Sequence, residues 1–197
     1  MAMESPFKAE ILKGKVALLT GGGSGIGYEI SYQLGKHGAS IVIMGRRRNV
    51  LDSAVDSLRS HGIHAVGLEG DVRKREDAIR VLESTIKHFG RLDILVNAAA
   101  GNFLVAAEDL TTNGFRTVID IDSVGTFTMC HEALKYLKKG GPGKHPSNGG
   151  TIINISVTMH YAATWYQIHV SSAKFVGFRS WSLEPGDELA LMAWDFE

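Results

Sequence analysis

The sequence predicts one α/β domain built on a doubly wound parallel sheet, and three observations support this fold class. Short apolar runs alternate with segments whose apolar residues recur every three or four positions, which is typical of parallel strands joined by helices. The 197 residues are enough for one domain of this kind. Apolar residues make up 44% and charged residues 21% of the chain, values that argue against a wholly disordered protein.

The composition argues against several classes of protein. Basic and acidic residues number 21 each, so the chain lacks the basic excess that is usual for a nucleic-acid-binding protein. The single cysteine, Cys130, cannot form an internal disulfide and fits a reducing compartment. No apolar run approaches the roughly 20 residues that span a bilayer, no histidine spacing indicates a zinc site, and residues 1–15 lack the apolar core of a secretory signal. We therefore expect a soluble intracellular protein.

Five strands are predicted where β-branched and other apolar residues form short runs: 16–20, 41–44, 64–68, 92–96 and 151–155. Four helices between them are predicted from apolar spacing: at Ile26, Ile30 and Leu34; over 50–59; at Ile79, Leu82 and Ile86; and over 113–137. Gly62 marks the end of the second helix, and the stretch 139–150, rich in Gly and Pro, is a predicted loop. Right-handed crossovers then bring the carboxyl ends of the strands to one edge of the sheet, where ligands bind.

A glycine-rich turn joins the first strand to the first helix. Gly21 can form the tight turn, while Gly25 and Gly27 let the backbone approach a pyrophosphate. The helix N-terminus supplies N–H donors and partial positive charge to the phosphates. The alternative is a flexible turn, but the strand before and the helix after favour a dinucleotide site. Its predicted residues are Gly21, Gly22, Gly23, Ser24, Gly25, Ile26 and Gly27.

The residues that follow the second and third strands indicate which dinucleotide this site binds. Arg46 and Arg47 follow the second strand, where an acidic residue would hold the ribose 2′-hydroxyl of NAD; arginine instead accommodates a 2′-phosphate, which favours NADP. The alternative is a solvated basic turn, which we prefer for Arg48. Asp71 and Val72 follow the third strand, and the Asp71 carboxylate can accept a hydrogen bond from the adenine amino group. The alternative for Asp71 is a helix N-cap.

The glycine pattern, together with Asp71, Asn97 after the fourth strand and Lys174, resembles the short-chain dehydrogenase/reductase family. The resemblance implies a single-domain Rossmann fold that binds NAD(P), and it places Asn97 and Lys174 at the cofactor. It also implies a catalytic set of Asn, Ser, Tyr and Lys. Lys174 matches the lysine, but the other three positions hold Asp122, Val157 and Val170.

Three segments resemble one branch of that family, the peroxisomal 2,4-dienoyl-CoA reductases. They are Ala-Ala-Gly-Asn-Phe at 99–103, Asp-Ile-Asp-Ser-Val-Gly-Thr-Phe at 120–127 and His-Val-Ser-Ser-Ala-Lys at 169–174. The resemblance implies NADPH-dependent reduction of 2,4-dienoyl-CoA to 3-enoyl-CoA in the oxidation of unsaturated fatty acids. It also implies a peroxisomal location and a homo-oligomer, although the final tripeptide is not a targeting signal and leaves the cytoplasm as an alternative.

Two other functions remain open. A carbonyl reductase of the same family is one, and the missing Tyr and Ser argue against it. The other is a non-catalytic protein that binds NADPH or a longer partner chain. Cofactor binding without turnover would distinguish this second alternative from the dienoyl-CoA reductase.

The chemistry of a dienoyl thioester agrees with the altered catalytic set. Hydride addition moves negative charge to the thioester oxygen, and a carbon must then be protonated. Asp122, acting directly or through water, is the candidate proton donor; the alternative is a helix-surface carboxylate. Such a donor needs a raised pKa or a water relay. Lys174 would hold the nicotinamide ribose and keep the local potential positive, while Tyr161 and Tyr166 are the alternative donors.

The same resemblance assigns residues to the acyl-CoA. They are Arg73, Phe103, Thr111, Thr112 and Asn113. Arg73 would pair with a phosphate of CoA; the alternative is an exposed residue in the first turn of a helix.

The last 23 residues differ in composition from the rest. Residues 175–197 carry five acids and one base, a net charge of −4. We therefore divide the chain into a Rossmann-type reductase domain over 1–174 and a divergent acidic segment over 175–197. Since a strand–helix–strand unit needs about 30 residues, and since Pro185 and Gly186 would interrupt a helix, we expect a C-terminally truncated form that lacks its last strands. The alternative is that the segment folds back and covers the open sheet edge with apolar side chains: Leu189, Leu191, Met192 and Trp194.

Overall fold

The computed structural model describes residues 7–145, 148–157, 164–179 and 190–196. Its strands form one six-stranded sheet in the order β3-β2-β1-β4-β5-β6, and every neighbouring pair is parallel. The strands are β1 Val16–Thr20, β2 Ser40–Gly45, β3 Ala65–Glu69, β4 Ile94–Asn97, β5 Thr151–Val157 and β6 Ala190–Phe196. The predicted doubly wound α/β fold is therefore confirmed.

Helices connect the strands in chain order. They are α1 Gly25–Lys36, α2 Arg48–Ser60, α3 Arg75–Phe89, α4 Thr112–Ile119, α5 Gly125–Leu137 and α6 Ile168–Arg179. A π-helical segment, Asp120–Val124, joins α4 directly to α5, in place of the regular helix predicted over 113–137. Among the described residues, no helix has the length and apolar character needed to cross a membrane. Nor do those residues contain a group of three His, Cys, Asp or Glu side chains suited to a metal ion.

Two apolar cores lie on opposite faces of the sheet, because the central strands are buried on both sides. On one face Leu18 and Val42 pack with residues of α3 and α5; on the other, Leu19 and Ile41 pack with residues of α1 and α2. These four side chains are fully buried. Each contributes roughly 1.5–3 kcal/mol relative to an exposed position, so the sheet is a rigid platform for the residues at its carboxyl edge.

The sixth strand corrects the expectation of an open edge beyond β5. Residues 190–196 run parallel to β5, with Thr151 opposite Ala190 and Val157 opposite Phe196. The connection to β6 begins at residue 158, and α6 begins at Ile168, upstream of the acidic segment. The crossover is thus much longer than the dozen residues that a parallel connection requires.

The alternative prediction for this segment is partly met. Leu191, Met192 and Trp194 lie in β6 at the edge of β5, whereas Leu189, Pro185 and Gly186 fall outside the described residues. Helix α6 also runs through the boundary predicted at residue 175, so the acidic segment begins inside a helix.

Candidate functional site

A cleft of about 360 Å³ lies at the carboxyl ends of β1, β2 and β4. The strand order reverses here, because β1 pairs with β2 on one side and with β4 on the other, and open α/β sheets bind ligands at such a switch point. The lining includes most residues predicted to bind the cofactor: Gly21, Gly23, Ser24, Ile26, Gly27, Arg46, Arg47, Asp71 and Val72. Three segments far apart in the sequence therefore meet in one place.

The turn after β1 is tight enough to require glycine at two positions. Gly21 has a φ of +67°, and a Cβ there would lie 2.9 Å from the backbone of Ala98 and Ala99. A Cβ on Gly27 would lie 2.5 Å from the carbonyl oxygen of Gly21. These contacts let α1 start directly beneath the turn, so the helix N-terminus opens into the cleft.

The N-terminus of α1 is suited to an anion. Ser24, the N-cap residue, makes no side-chain capping bond, and the first turn contains no acidic residue. The first N–H groups of a helix have no partner within the helix and carry partial positive charge. This end of the cleft therefore fits the pyrophosphate of a dinucleotide.

The three arginines after β2 lie in two different surroundings. Arg46 and Arg47 line the cleft. Arg48 begins α2 and pairs on the surface with Asp52 at 3.0 Å, as expected for a solvated residue. Two basic groups thus remain at the mouth of the cleft.

Asp71 and Arg73 form an ion pair that the sequence did not predict. Arg73 donates from its backbone N–H to Oδ1 of Asp71 at 3.1 Å, and from Nε to both carboxylate oxygens at 3.0 Å. This pairing lowers the pKa of Asp71. The N-cap alternative for Asp71 is wrong, because α3 begins at Arg75 with Lys74 as its N-cap. For the same reason Arg73 precedes the helix and is not a first-turn residue.

Asn97 lies below the cleft rather than in its lining. Its Nδ2 donates to Oδ1 of Asn154 at 2.8 Å and to Sγ of Cys130 at 3.1 Å, and the residue is buried. Burial raises the pKa of the Cys130 thiol to about 12. The two asparagines thus tie the end of β4 to β5 beneath the predicted cofactor site.

Thr20, the last residue of β1, fastens the floor of the cleft. Its Oγ1 accepts hydrogen bonds from the backbone N–H groups of Ala98 and Ala99, both at 3.1 Å. Thr20 was not among the predicted site residues, although a hydroxyl at the end of a strand before a glycine turn can indicate such a contact. The bonds set where the chain leaves β4 and enters the next loop.

The π-helical segment buries Asp122 inside the molecule. Its Oδ1 accepts a hydrogen bond from the Gly101 N–H at 2.7 Å, and Lys174 Nζ lies 3.1 Å from its Oδ2. The Asp122 side chain has no exposed surface, so the helix-surface alternative is wrong. Oδ2 is buried and, among the described residues, accepts no hydrogen bond of good alignment. A distortion that places a carboxylate in this way is typical of functional sites.

Lys174 reaches Asp122 from α6, and the same helix fixes the π-helical segment. Ser123 Oγ donates to the carbonyl of Ala173 at 2.8 Å. Val170, at the position of the family's tyrosine, is buried and packs in one cluster with Val118 and Ala173. The site therefore combines a lysine and a carboxylate, with an apolar contact where the family has a phenol.

The alternative proton donors are placed differently. Tyr166 lies in the turn before α6, with a φ of +63° and an exposed side chain. Tyr161 falls outside the described residues. Neither contact of the Asp122 carboxylate described above involves Tyr166.

Four of the five predicted acyl-CoA residues lie near the start of α4, and the fifth, Arg73, does not. Thr111 caps α4 by accepting the Gly114 N–H at 3.0 Å, and Thr112 and Asn113 form the exposed first turn. The ring of Phe103 lies against Gly114, since a Cβ there would be 3.1 Å from its Cζ. Arg73, in contrast, is held by Asp71, away from this group's contacts.

The family of this chain follows from its match to a sequence model. The sequence model of short chain dehydrogenases matches residues 15–190. The chain belongs to the short-chain dehydrogenase/reductase family. Members of this family bind a nicotinamide cofactor, in agreement with the cleft.

Relatives within the family are strongly similar to this chain. A peroxisomal 2,4-dienoyl-CoA reductase, (3E)-enoyl-CoA-producing, from Arabidopsis thaliana is 73% identical over 173 residues, which cover 87% of this chain and 58% of that protein. The Danio rerio protein of the same name is 39% identical over 85% of this chain and 54% of its own length. The chain thus spans a little over half the length of these relatives.

Solved structures of the family share the fold. A short chain dehydrogenase from Bacillus anthracis superposes with a TM-score of 0.77 at 36% identity, covering 84% of this chain and 66% of that one. Actinorhodin polyketide ketoreductase with NADPH superposes with a TM-score of 0.74 at 27% identity, covering 82% and 60%.

Proposed function

We propose that this protein reduces 2,4-dienoyl-CoA thioesters to 3-enoyl-CoA with NADPH, in the oxidation of unsaturated fatty acids within peroxisomes. The observation that carries the proposal is the buried pair of Asp122 and Lys174, with valine at the positions of the family's serine and tyrosine. Relatives named as peroxisomal 2,4-dienoyl-CoA reductases support it. A homo-oligomer is part of the same proposal and rests on resemblance.

The cleft supports NADPH as the cofactor. The N-terminus of α1 would hold the pyrophosphate, and Arg46 with Arg47 would hold the 2′-phosphate. Asp71, kept ionised by Arg73, would accept a hydrogen bond from the adenine amino group. When bound, NADPH supplies the hydride.

The position of the product double bond fixes where hydrogen enters. A 2,4-diene becomes a 3-ene only if hydride adds at carbon 5 and a proton adds at carbon 2. Between these steps negative charge collects on the thioester oxygen as a dienolate. The Lys174 ammonium, 12% exposed, supplies positive potential in partly buried surroundings, where such stabilisation is strong.

Asp122 is suited to delivering the proton through water. Its Oδ1 accepts the Gly101 N–H at 2.7 Å, and Lys174 Nζ lies 3.1 Å from its Oδ2. Oδ2 accepts no well-aligned hydrogen bond from the described residues, so it can accept one from a water. A water bound there would pass its proton to carbon 2 and be reprotonated from solvent, so the carboxylate orients the donor.

The valines argue against carbonyl reduction. An alkoxide formed from a ketone needs an adjacent acid, and a phenol next to lysine is suited to that task. Val170 instead packs against Val118 in the helix interface. A dienolate is protonated on carbon, so it does not need an acid at that position.

The test is oxidation of NADPH by the purified chain with 2,4-decadienoyl-CoA. We expect turnover with a product whose double bond is at carbon 3, read by mass spectrometry or NMR. Two matched controls are 2-decenoyl-CoA, which lacks the second double bond, and 3-ketodecanoyl-CoA. Reduction of the ketone alone would indicate a carbonyl reductase, and NADPH binding without turnover would indicate a non-catalytic protein; either result contradicts the proposal.

A further inference from the structure

A buried histidine outside the predicted catalytic set links α6 to the loop after β4. His169, the second residue of α6, has no exposed surface. Its Nε2 lies 3.0 Å from the carbonyl oxygen of Phe103. Its ring also stacks on the Phe103 ring, with centroids 4.4 Å apart and planes inclined by 27°.

The hydrogen bond fixes how the imidazole is protonated. A carbonyl oxygen only accepts hydrogen bonds, so Nε2 must carry the proton. In the neutral ring Nδ1 is then an acceptor, and this atom is buried without a partner among the described residues. Among the described residues, the His169 side chain therefore makes one hydrogen bond, to the Phe103 backbone.

Other hydrogen bonds join the loop over residues 98–111 to the turn just before α6. Asn102 Nδ2 donates to Gln167 Oε1 at 2.9 Å, but this contact is exposed. The Val105 N–H donates to the Tyr166 carbonyl at 3.2 Å, in the turn where Tyr166 has its positive φ. Solvent competes for exposed hydrogen bonds, so the contact of the buried His169 ring is the better protected tie between this loop and α6.

The anchored segment also contacts the catalytic carboxylate. Gly101, two residues before Phe103, donates its N–H to Asp122. Lys174, five residues after His169, pairs with the other oxygen of Asp122. Helix α6 thus reaches Asp122 twice, directly through Lys174 and indirectly through His169 and the loop.

We propose that His169 is a positioning residue, which holds Phe103 against α6 and thereby sets the acyl side of the site and the Gly101 donor. The proposal rests on the proposed function where it takes a dienoyl-CoA as the ligand beside Phe103. The restraint on the loop itself does not depend on turnover.

Two substitutions separate the two contacts of His169. His169→Phe keeps an aromatic ring for stacking but removes the hydrogen bond to the Phe103 carbonyl. His169→Gln keeps an amide N–H near the position of Nε2 but loses the ring. Val118→Ala is the matched control, because it trims a buried side chain of the α4–α6 cluster that has no polar role.

We expect His169→Phe to raise KM for 2,4-decadienoyl-CoA about tenfold, as for loss of one hydrogen bond. Its Kd for NADPH should be unchanged, and His169→Gln should recover most of the loss. Val118→Ala should lower the melting temperature and leave KM unchanged. A purely structural histidine would instead change NADPH binding, KM and melting together.

Hydrogen–deuterium exchange provides a readout that does not depend on turnover. Amides of residues 99–105 should exchange about tenfold faster in His169→Phe than in the starting chain or His169→Gln, with β1 to β3 unaffected. Equal exchange in the Phe and Gln variants, or the same increase in Val118→Ala, would overturn the proposal. If the unaltered chain shows no dienoyl-CoA turnover while the exchange pattern holds, the proposed function fails and the positioning role stands.

Discussion

The two ends of the site are built in different ways. The dinucleotide end consists of short segments at the ends of adjacent strands, and it presents backbone N–H groups and exposed arginines. The proposed catalytic end consists of the Gly101 backbone N–H, the buried Asp122 carboxylate and the partly buried Lys174 side chain, which lie in contact. Backbone geometry is fixed by local sequence, whereas buried charges depend on every element that surrounds them. Changes at the first end should therefore alter binding, and changes at the second should alter turnover.

The largest effect is expected from Asp122→Asn, which should reduce turnover without changing NADPH binding. The amide retains a carbonyl that can accept the Gly101 N–H, but it removes the charge beside Lys174. Turnover of 2,4-decadienoyl-CoA should fall roughly 10²–10⁴-fold, as for loss of a proton-transfer group. NADPH affinity, measured by fluorescence titration, should not change. Unaltered turnover would return Asp122 to a structural role and direct attention to Tyr166.

Gly27→Ala tests the dinucleotide end in the same way. The added Cβ would lie 2.5 Å from the Gly21 carbonyl oxygen, so the turn or the start of α1 must move. We expect NADPH binding to weaken by roughly 3 kcal/mol, as for overpacking at a rigid contact. Gly62→Ala is a control for backbone strain alone, because Gly62 has a φ of +76° in a turn remote from the cleft, with no atom near its Cβ. Normal binding of NADPH by the Gly27→Ala protein would contradict the assignment of this turn to the cofactor site.

The two ends also differed in how far the sequence predicted them. The glycine turn and Arg46 follow predicted strands and line the cleft, and their binding of the cofactor stays a prediction. Asp122 was identified by its position in a motif, but its burial depends on a π-helical segment that periodicity does not indicate. His169 and the Asp71–Arg73 pair were missed, because they depend on side-chain contacts rather than on spacing. β6 was missed because the segment after β5 was counted from the break in composition at residue 175. The helix of that connection, α6, already begins at Ile168, so more residues are available for the crossover.

The choice between NADPH and NADH depends on the dinucleotide end of the site alone. Arg46 stands after β2 with no acidic residue beside it in the sequence. We expect NADPH to bind more tightly than NADH, and Arg46→Ala to narrow the gap by roughly 1–3 kcal/mol. Arg48→Ala is the matched control, since Arg48 pairs with Asp52 on the surface. Equal affinities of the unaltered protein for the two cofactors would contradict the argument.

The smallest expected effect comes from a charge at the opposite edge of the sheet, remote from both ends of the site. Asp93 is buried; it accepts the Val16 N–H at 2.9 Å and pairs with Arg91 at 2.7 Å. Burial alone would raise the pKa of Asp93, but the Arg91 pair and the Val16 N–H outweigh it and lower that pKa. A carboxyl whose folded pKa is depressed stabilises the fold above its unfolded pKa of about 3.9, and this contribution is lost as the pH falls through the folded pKa.

We therefore expect Asp93→Asn to lower the free energy of unfolding by roughly 1–2 kcal/mol at pH 7, a modest value because Arg91 is partly exposed. The difference from the unaltered protein should shrink as the pH falls below about 4 and vanish once Asp93 is protonated in both states. Urea unfolding at several pH values measures it. NADPH affinity at pH 7 should be unchanged, because the substitution lies at the amino ends of β1 and β4 and the cleft at their carboxyl ends. A pH-independent difference would mean that the Asp93 charge does not stabilise the fold, and that its hydrogen-bonding shape alone matters.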